Sequence, residues 1–365
     1  MVVEIGSEIR IRDASKELYD WAQENLIIPN PQYRERERRG LWVANTPKYL
    51  WLYHVDGSDL IVPTGVGKQV RQFLSEKDKI SVHLADNGIL DYKGTIPLYD
   101  YQKEAVEAMQ RTSCGILQSP CGSGKTQMGI ALAAELGRKV LWVTHTQDLL
   151  TQSKTRAEQY FSPETLGTIT AGKAQIGSHM TFATVQTLCK MDLEQFRYTW
   201  DVVIVDECHR LAGSPTQVTM FYKVMNSLAA RHKYGLSATV HRSDGMIKST
   251  FAVLGPVIYK VPDEAVADKT MQVRILQRNT DITVSRSCLD TDGTLDYNEL
   301  LSYLGGNRKR NEMIVKDLVS QKGHSCLILA SRLEQLRNIR DLLPDELRSI
   351  SAMIDGSMTS KKGKA

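Results

Sequence analysis

The stretch Cys114-Gly115-Ile116-Leu117-Gln118-Ser119-Pro120-Cys121-Gly122-Ser123-Gly124-Lys125-Thr126 decides how this chain is read. A short apolar run passes into a glycine-rich turn and then into the helix-forming sequence from Thr126 to Leu136. Strand, loop, helix is the context that a phosphate-binding P-loop requires. Gly122 and Gly124 let backbone N–H groups turn inward at a helix N-terminus, making a nest for an anion. Lys125 then reaches the β- and γ-phosphates of a nucleotide, and the Thr126 hydroxyl is placed to ligate Mg²⁺. Ser119, Pro120, Cys121 and Ser123 complete the loop, with Ser119 standing where the GxxxxGK[ST] pattern has Gly. The bland alternative, a Gly/Ser-rich turn with an incidental lysine, is disfavoured by the flanking strand and helix.

About eighty residues further on, Asp201-Val202-Val203-Ile204-Val205-Asp206-Glu207-Cys208-His209 is an apolar run ending in two adjacent carboxylates. An isolated Asp-Glu pair at a strand end is usually just a solvated turn. Beside a P-loop, the same pair reads as a magnesium partner, Asp206, and a base that polarises the attacking water, Glu207. Both are expected at the carboxyl end of a buried strand, where open α/β sheets bind ligands. In this tetrad His209 reads as a link between nucleotide and domain.

The 365 residues suffice for two or three domains, and 42% hydrophobic with 24% charged residues is ordinary for a globular protein. No window approaches eighteen uninterrupted apolar residues and the first residues lack a signal peptide's pattern, so no membrane span or export is expected. The six cysteines form no CxxC pair, which suits reduced thiols in a cytoplasmic protein. A net charge of +4 permits nucleic-acid binding without arguing for it.

Three regions separate on pattern. Residues 1–94 carry short β-like runs such as Tyr49–Val55, the aromatics Trp21, Trp42 and Trp51, and the charged run Tyr33–Arg39, and read as a small α+β accessory domain. Residues 95–265 alternate strands and helices, with strands expected at 114–118, 139–144, 180–185, 201–206 and 233–237, which predicts an α/β domain built on a parallel sheet. Residues 266–365 begin a similar rhythm: a helix over 307–320, a strand at 326–330, a helix over 333–343 and a strand near 350–354. A doubly wound domain needs more strands than these, so the second sheet is expected to be partial.

The P-loop, the Asp206-Glu207-Cys208-His209 (DECH) tetrad and Ser237-Ala238-Thr239 occur in the order of the superfamily 2 helicases and translocases, which the chain resembles over roughly residues 95–365. Gly235-Leu236-Ser237-Ala238-Thr239, followed by Arg242-Ser243-Asp244-Gly245, resembles the branch of excision-repair translocases and type III restriction helicase subunits. The resemblance implies RecA-like domains with ATP and Mg²⁺ bound between them, Gln102 of Tyr99-Asp100-Tyr101-Gln102 reading adenine, and Ser237 and Thr239 coupling the site to motion. It implies nucleic-acid contacts from Thr144 and Thr146, and from Thr184 and Gln186, on DNA more than RNA. It also implies a late QxxGRxxR-type motif whose arginines complete the ATP site. No such segment is in this sequence, and Arg308 and Arg310 come too early for it. The chain is therefore expected to be C-terminally truncated, and to bind ATP but hydrolyse it slowly or not at all unless a protein partner supplies the arginine. The alternative to a DNA translocase is a truncated, non-hydrolysing, ATP-gated nucleic-acid-binding module. An unrelated P-loop kinase would leave the Ser-Ala-Thr motif without a role.

Weaker signals are read conservatively. Asp290–Glu299 resembles the later part of an EF-hand loop, but its first ligand would be Cys288, so a surface turn is preferred. The 33–39 run is read as a solvated helix face, with a nucleic-acid patch as the alternative. The N-terminal aromatics are read as a small core ahead of a base-stacking platform.

Overall fold

The computed structural model describes residues 1–170, 173–212, 214–240, 245–267, 273–290, 292–321 and 323–356. Arg242, Ser243, Asp244, Thr291 and residues 357–365 fall outside them. The chain forms two compact units, Met1–Gln272 and Val273–Ala365.

The first unit opens with strands β1 (Val2–Ile5), β2 (Glu8–Arg12), β3 (Ile27–Pro29), β4 (Tyr49–Trp51), β5 (His54–Asp56), β6 (Asp59–Pro63) and β7 (Lys79–Val82), and helices α1 (Lys16–Asn25), α2 (Pro31–Arg38) and α3 (Gly67–Arg71). Five strands form a sheet in the order β5-β6-β2-β1-β7, while β3 and β4 make a separate antiparallel pair. In β2 the alternation is plain: Ile9 and Ile11 are buried, and Arg10 and Arg12 face outward onto Asp56, Asp59 and Glu4.

The larger sheet contains β8 (Cys114–Gln118), β9 (Val140–Thr144), β10 (Leu166–Thr170), β11 (Lys173–Gln175), β12 (Met180–Thr184), β13 (Val202–Val205), β14 (His232–Ser237) and β15 (Val257–Lys260). Their order is β11-β10-β12-β9-β13-β14-β8-β15, and every pairing is parallel except that of β11 with β10. Helices α4 (Asp100–Gln110), α5 (Lys125–Leu136), α6 (Gln147–Ala157), α7 (Val185–Leu188), α8 (Pro215–Ser227) and α9 (Ile247–Leu254) accompany it. The strands expected from sequence recur to within about a residue. Their unbroken apolar runs reflect burial on both faces. Val202 and Ile204 of β13 enter one core cluster, and Val203 and Val205 enter the other.

The N-terminal layer is fastened to this sheet by polar as well as apolar contacts. Buried Lys233 of β14 donates at 2.9 Å to the carbonyls of Ser7, in the β1–β2 turn, and Met225. Burial lowers its pKa to about 8. Val218, Met246 and Ala252 share a core with Ile11, Leu60 and Val62. Residues 83–98 then strap across the sheet: Ala85 N–H donates to Ala229 O, Leu90 N–H to Gly137 O, and Asn87 N–H to the buried carboxylate of Asp201.

The second unit contains α10 (Tyr297–Gly306), α11 (Arg308–Ser320), α12 (Leu333–Leu342) and α13 (Asp345–Ile350). Asn307 ends α10 and caps α11, its side chain accepting from Arg310 N–H. Val315, Ile339 and Leu343 form the small core. Both helices expected from the sequence are present, but the strands expected at 326–330 and 350–354 are unpaired among the described residues. Leu327 and Leu329 are 82% and 85% exposed. A strand has no hydrogen bonds of its own, and two isolated runs do not make a stable sheet. At the turn ahead of α10, Asp290 accepts from Asp292 N–H and Thr294 N–H, so its carboxylate serves the turn.

The fit between the N-terminal layer and the end of α9 leaves no room at Gly65. A Cβ there would lie 2.5 Å from Gly255 N and 2.6 Å from Ala252 O, both backbone atoms. Gly65→Val is expected to destabilise the first unit by about 1–3 kcal/mol. Urea unfolding checks this, and an unchanged midpoint would contradict it.

Candidate nucleotide site

The P-loop leaves β8 and enters α5 through two residues with positive φ, Gly122 at 80° and Gly124 at 82°. Gly124 is also fixed by space, since a Cβ would stand 2.5 Å from Gln102 Nε2. Ser123 Oγ donates to Pro120 O at 2.7 Å, so the 2.5 Å contact between the two hydroxyls has Ser119 donating to Ser123. The loop is held from outside as well. Gln102 Nε2 and the Tyr101 hydroxyl both donate to Ser123 O, at 2.8 and 3.0 Å, and Gln102 Oε1 accepts from Tyr99 N–H. Gln102, expected to read a base, lines the cavity beside the P-loop and also braces the loop.

β14 lies between β13 and β8, and its pairing with each sets the relative height of the motifs. Ser237 is opposite Gln118, and Gly235 is opposite Val205. Ser119 N–H donates to Ser237 O at 2.9 Å, carrying that register into the loop. Lys125 is buried, its ammonium 3.7 Å from Glu207 Oε1 and at 3.4 and 3.5 Å from the carbonyls of Ser119 and Pro120. These long contacts leave the cation weakly committed.

Asp206 is buried, accepting from Ser153 Oγ at 3.3 Å and from Glu207 N–H at 3.0 Å. Burial, with the Glu207 charge second, raises its pKa to about 6. Glu207 has φ 47°, a left-handed conformation rare for a non-glycine residue and typical of functional sites. Its other oxygen lies 3.3 Å from His209 Nδ1. The Ser237 hydroxyl donates to Thr239 O at 2.6 Å, so its oxygen accepts from His209 Nδ1 at 2.8 Å, which places a proton on that nitrogen. Lys125, Glu207, His209, Ser237 and Thr239 thus form one connected chain of polar contacts.

Lys125, Thr126, Asp206 and Glu207 line a cavity of about 900 Å³ between the P-loop, α4 and α6, while His209, Ser237 and Thr239 stand behind Glu207, outside its lining. The donor set fits a nucleotide with its magnesium. Backbone turns and a buried cation suit phosphate, and a hydroxyl with a carboxylate gives hard oxygen ligands. Sequence reading missed one face of α6, on which Leu149, Gln152, Ser153 and Arg156 line the cavity, with Tyr160 just beyond the helix end. Their three- and four-residue spacing was the available signal.

Thr144, Thr146, Thr184 and Gln186 gather elsewhere, at the carboxyl ends of neighbouring β9 and β12, where Thr144 and Thr184 are in register. Their hydroxyls serve local structure: Thr146 caps α6 and Thr184 caps α7, while Thr144 Oγ1 donates to Thr146 O. Gln186 Nε2 lies 3.3 Å from His145 Nδ1. They do not line the cavity beside the P-loop.

Residues 95–242 match the family described as type III restriction enzyme, res subunit. The DNA 3'-5' translocase XPB2 of Sulfurisphaera tokodaii is 30% identical over 213 residues, 55% of this chain and 45% of that one. The DNA 3'-5' helicase XPB of Mycobacterium tuberculosis is 27% identical over 174 residues, 45% of this chain and 30% of that one. The chain therefore spans less than half the length of either relative. The crystal structure of the UvsW helicase from Bacteriophage T4 superposes with a TM-score of 0.51 at 20% identity, covering 71% of this chain and 100% of that one. That likeness is one of fold. Among the described residues, no helix is long and apolar enough to cross a membrane.

A carboxyl whose folded pKa is raised contributes stability below its unfolded value that is lost as pH rises through the folded one. For Asp206 the loss runs from the ordinary 3.8 to about 6. Asp206→Asn removes that loss, so the variant is expected to exceed the parent in stability above pH 6, by about 3 kcal/mol, and to match it near pH 4. Urea titrations at the two pH values test this, and a constant difference would count against the assignment.

Proposed function

We propose, for a chain that is a superfamily 2 helicase of the XPB and type III restriction branch, that residues 95–265 bind and hydrolyse Mg-ATP and couple turnover to movement on DNA. In this reading residues 1–94 are an accessory domain and residues 266–365 a partial second RecA-like domain. What carries the proposal is the convergence of a P-loop lysine and an acidic pair, 3.7 Å apart, on one cavity.

The chemistry follows from the positions of the groups. The nest at Gly122–Thr126 holds phosphate oxygens on backbone N–H groups, and Lys125 neutralises charge that grows on the γ-phosphate side. Asp206 and Thr126 would hold Mg²⁺, which would supply positive charge against the phosphates. Glu207 orients the attacking water and takes its proton, and His209 steadies that carboxylate from the far side. Because His209 also bonds Ser237, a change at Glu207 is passed to the end of β14 and to Thr239. Thr144, Thr146, Thr184 and Gln186 are proposed to meet the nucleic-acid backbone at the sheet edge. The DNA named for the XPB relatives supports DNA over RNA as the substrate.

Lys125→Ala is expected to weaken ATP binding and lower turnover about 100-fold or more, and Glu207→Gln to keep binding while losing about 100-fold in turnover. Nucleotide titration and phosphate release, each with single-stranded DNA, duplex DNA and RNA, read both. Nucleotide-dependent DNA binding without turnover in the unmodified chain would identify the ATP-gated binding module instead. Glu207→Gln turning over at the parent rate would refute the assignment of the base.

A further inference from the structure

The β3–α2–β4 excursion presents aromatic rings to solvent where the sequence suggests a small core. In the β3–β4 pair, Ile28 is opposite Leu50 and Ile27 opposite Trp51. Leu50 and Leu52 turn toward the N-terminal core, which leaves Tyr49 and Trp51 together on the outer face. They are 43% and 57% exposed, and Trp42, in the loop before β4, is 75% exposed. Large exposed aromatics gathered on one short segment mark an interaction surface more than chance does.

The surroundings say what kind of partner fits. Five basic side chains, Arg34, Arg36, Arg38, Arg39 and Lys48, share residues 30–51 with only two acidic ones, Glu35 and Glu37. Arg39 pairs with Glu35, and Arg36 Nε donates to Trp42 O at 3.1 Å, tying the tryptophan loop to the end of α2. Buried Asn30 closes the base of the excursion: its N–H donates to Lys48 O, its Nδ2 to Pro47 O, and its Oδ1 accepts from Gln32 N–H. The segment is thus a built element. It is anchored to the ATP-binding sheet's covering helix as well, because the Tyr222 hydroxyl of α8 donates to Leu52 O. Cations beside upright, sequence-indifferent π-faces suit phosphates and unstacked bases, whereas duplex DNA hides its base faces.

We propose that Tyr49, Trp51 and Trp42, with the arginines of α2, form a stacking platform for single-stranded nucleic acid. The proposal rests on the nucleic-acid-dependent function proposed above. It adds a strand-selective contact, outside the sheet edge of Thr144 and Thr184, that would hold one strand on the accessory layer while the nucleotide site works.

The test is anisotropy of a fluorescein-labelled oligodeoxythymidine and of a blunt duplex with the full chain and its variants. Trp51→Ala is expected to weaken single-strand binding roughly five-fold or more, Trp51→Phe to restore most of it, and Trp42→Ala to act in the same direction. The duplex should be affected less, and binding of a fluorescent ATP analogue should not change. Replacing Arg34 and Arg38 together by Gln is expected to flatten the logarithmic salt dependence by about 1.4, at about 0.7 for each phosphate no longer neutralised. Single-strand affinity that ignores Trp51→Ala and Trp42→Ala overturns the platform, as does an equal loss on duplex that Trp51→Phe fails to rescue. A parent chain that binds neither strand nor duplex sinks the proposed function too. That outcome is distinguishable from intact binding that ignores the tryptophans.

Discussion

The in-register placement of β14 between β13 and β8 is the constraint on which the site is built. Parallel strands end at one edge, so pairing Ser237 with Gln118 and Gly235 with Val205 delivers three separate motifs to the same height. The bond from Ser119 N–H to Ser237 O then carries that register out of the sheet and into the P-loop. Shifting one strand by a residue would turn its buried side chains to the wrong face and part the lysine from the acidic pair.

The site accepts local instability in exchange for this arrangement. Glu207 occupies a left-handed backbone conformation, and Asp206 is held where burial and its neighbour both resist its charge. Such strain persists only where the surroundings over-determine it. Here the surroundings are β13, buried along its whole length, and the brace of Tyr101 and Gln102 on Ser123. Ser153 and Glu207 N–H supply the donors that keep Asp206 an acceptor.

The N-terminal layer is part of the same mechanical body. A buried lysine at the far end of β14 grips the β1–β2 turn, while the other end of that strand reaches Ser237. Residues 83–98 tie the layer to the ends of β9 and β13, and Asp201 spends a buried carboxylate on Asn87 and Lys139. This is why the first 94 residues, separable on composition, fold into one unit with the sheet. It also means that a ligand on the β3–α2–β4 element would bear on α8, which follows the acidic tetrad in the chain.

The elements of the larger sheet and the residue types that line its candidate nucleotide site were legible in the sequence alone. Apolar runs of four or five residues, a glycine-rich turn and an acidic pair are local facts, and local propensity and pattern are what a sequence states directly. The helices over 308–320 and 333–342 were legible too, because their hydrogen bonds close within the segment. Whatever depends on distant partners had to wait for the packed chain. Gln102 braces the P-loop because Ser123 O lies within its reach, and Ser153 meets Asp206 although 53 residues separate them. The runs at 326–330 and 350–354 have strand composition but no ladder among the described residues, because a strand exists only through its neighbours. The N-terminal aromatics divide on the same ground: Leu50 and Leu52 face a core, and Tyr49 and Trp51, one residue away, face solvent. Which face of a strand is inside is set by what packs against it, and no stretch of sequence contains that.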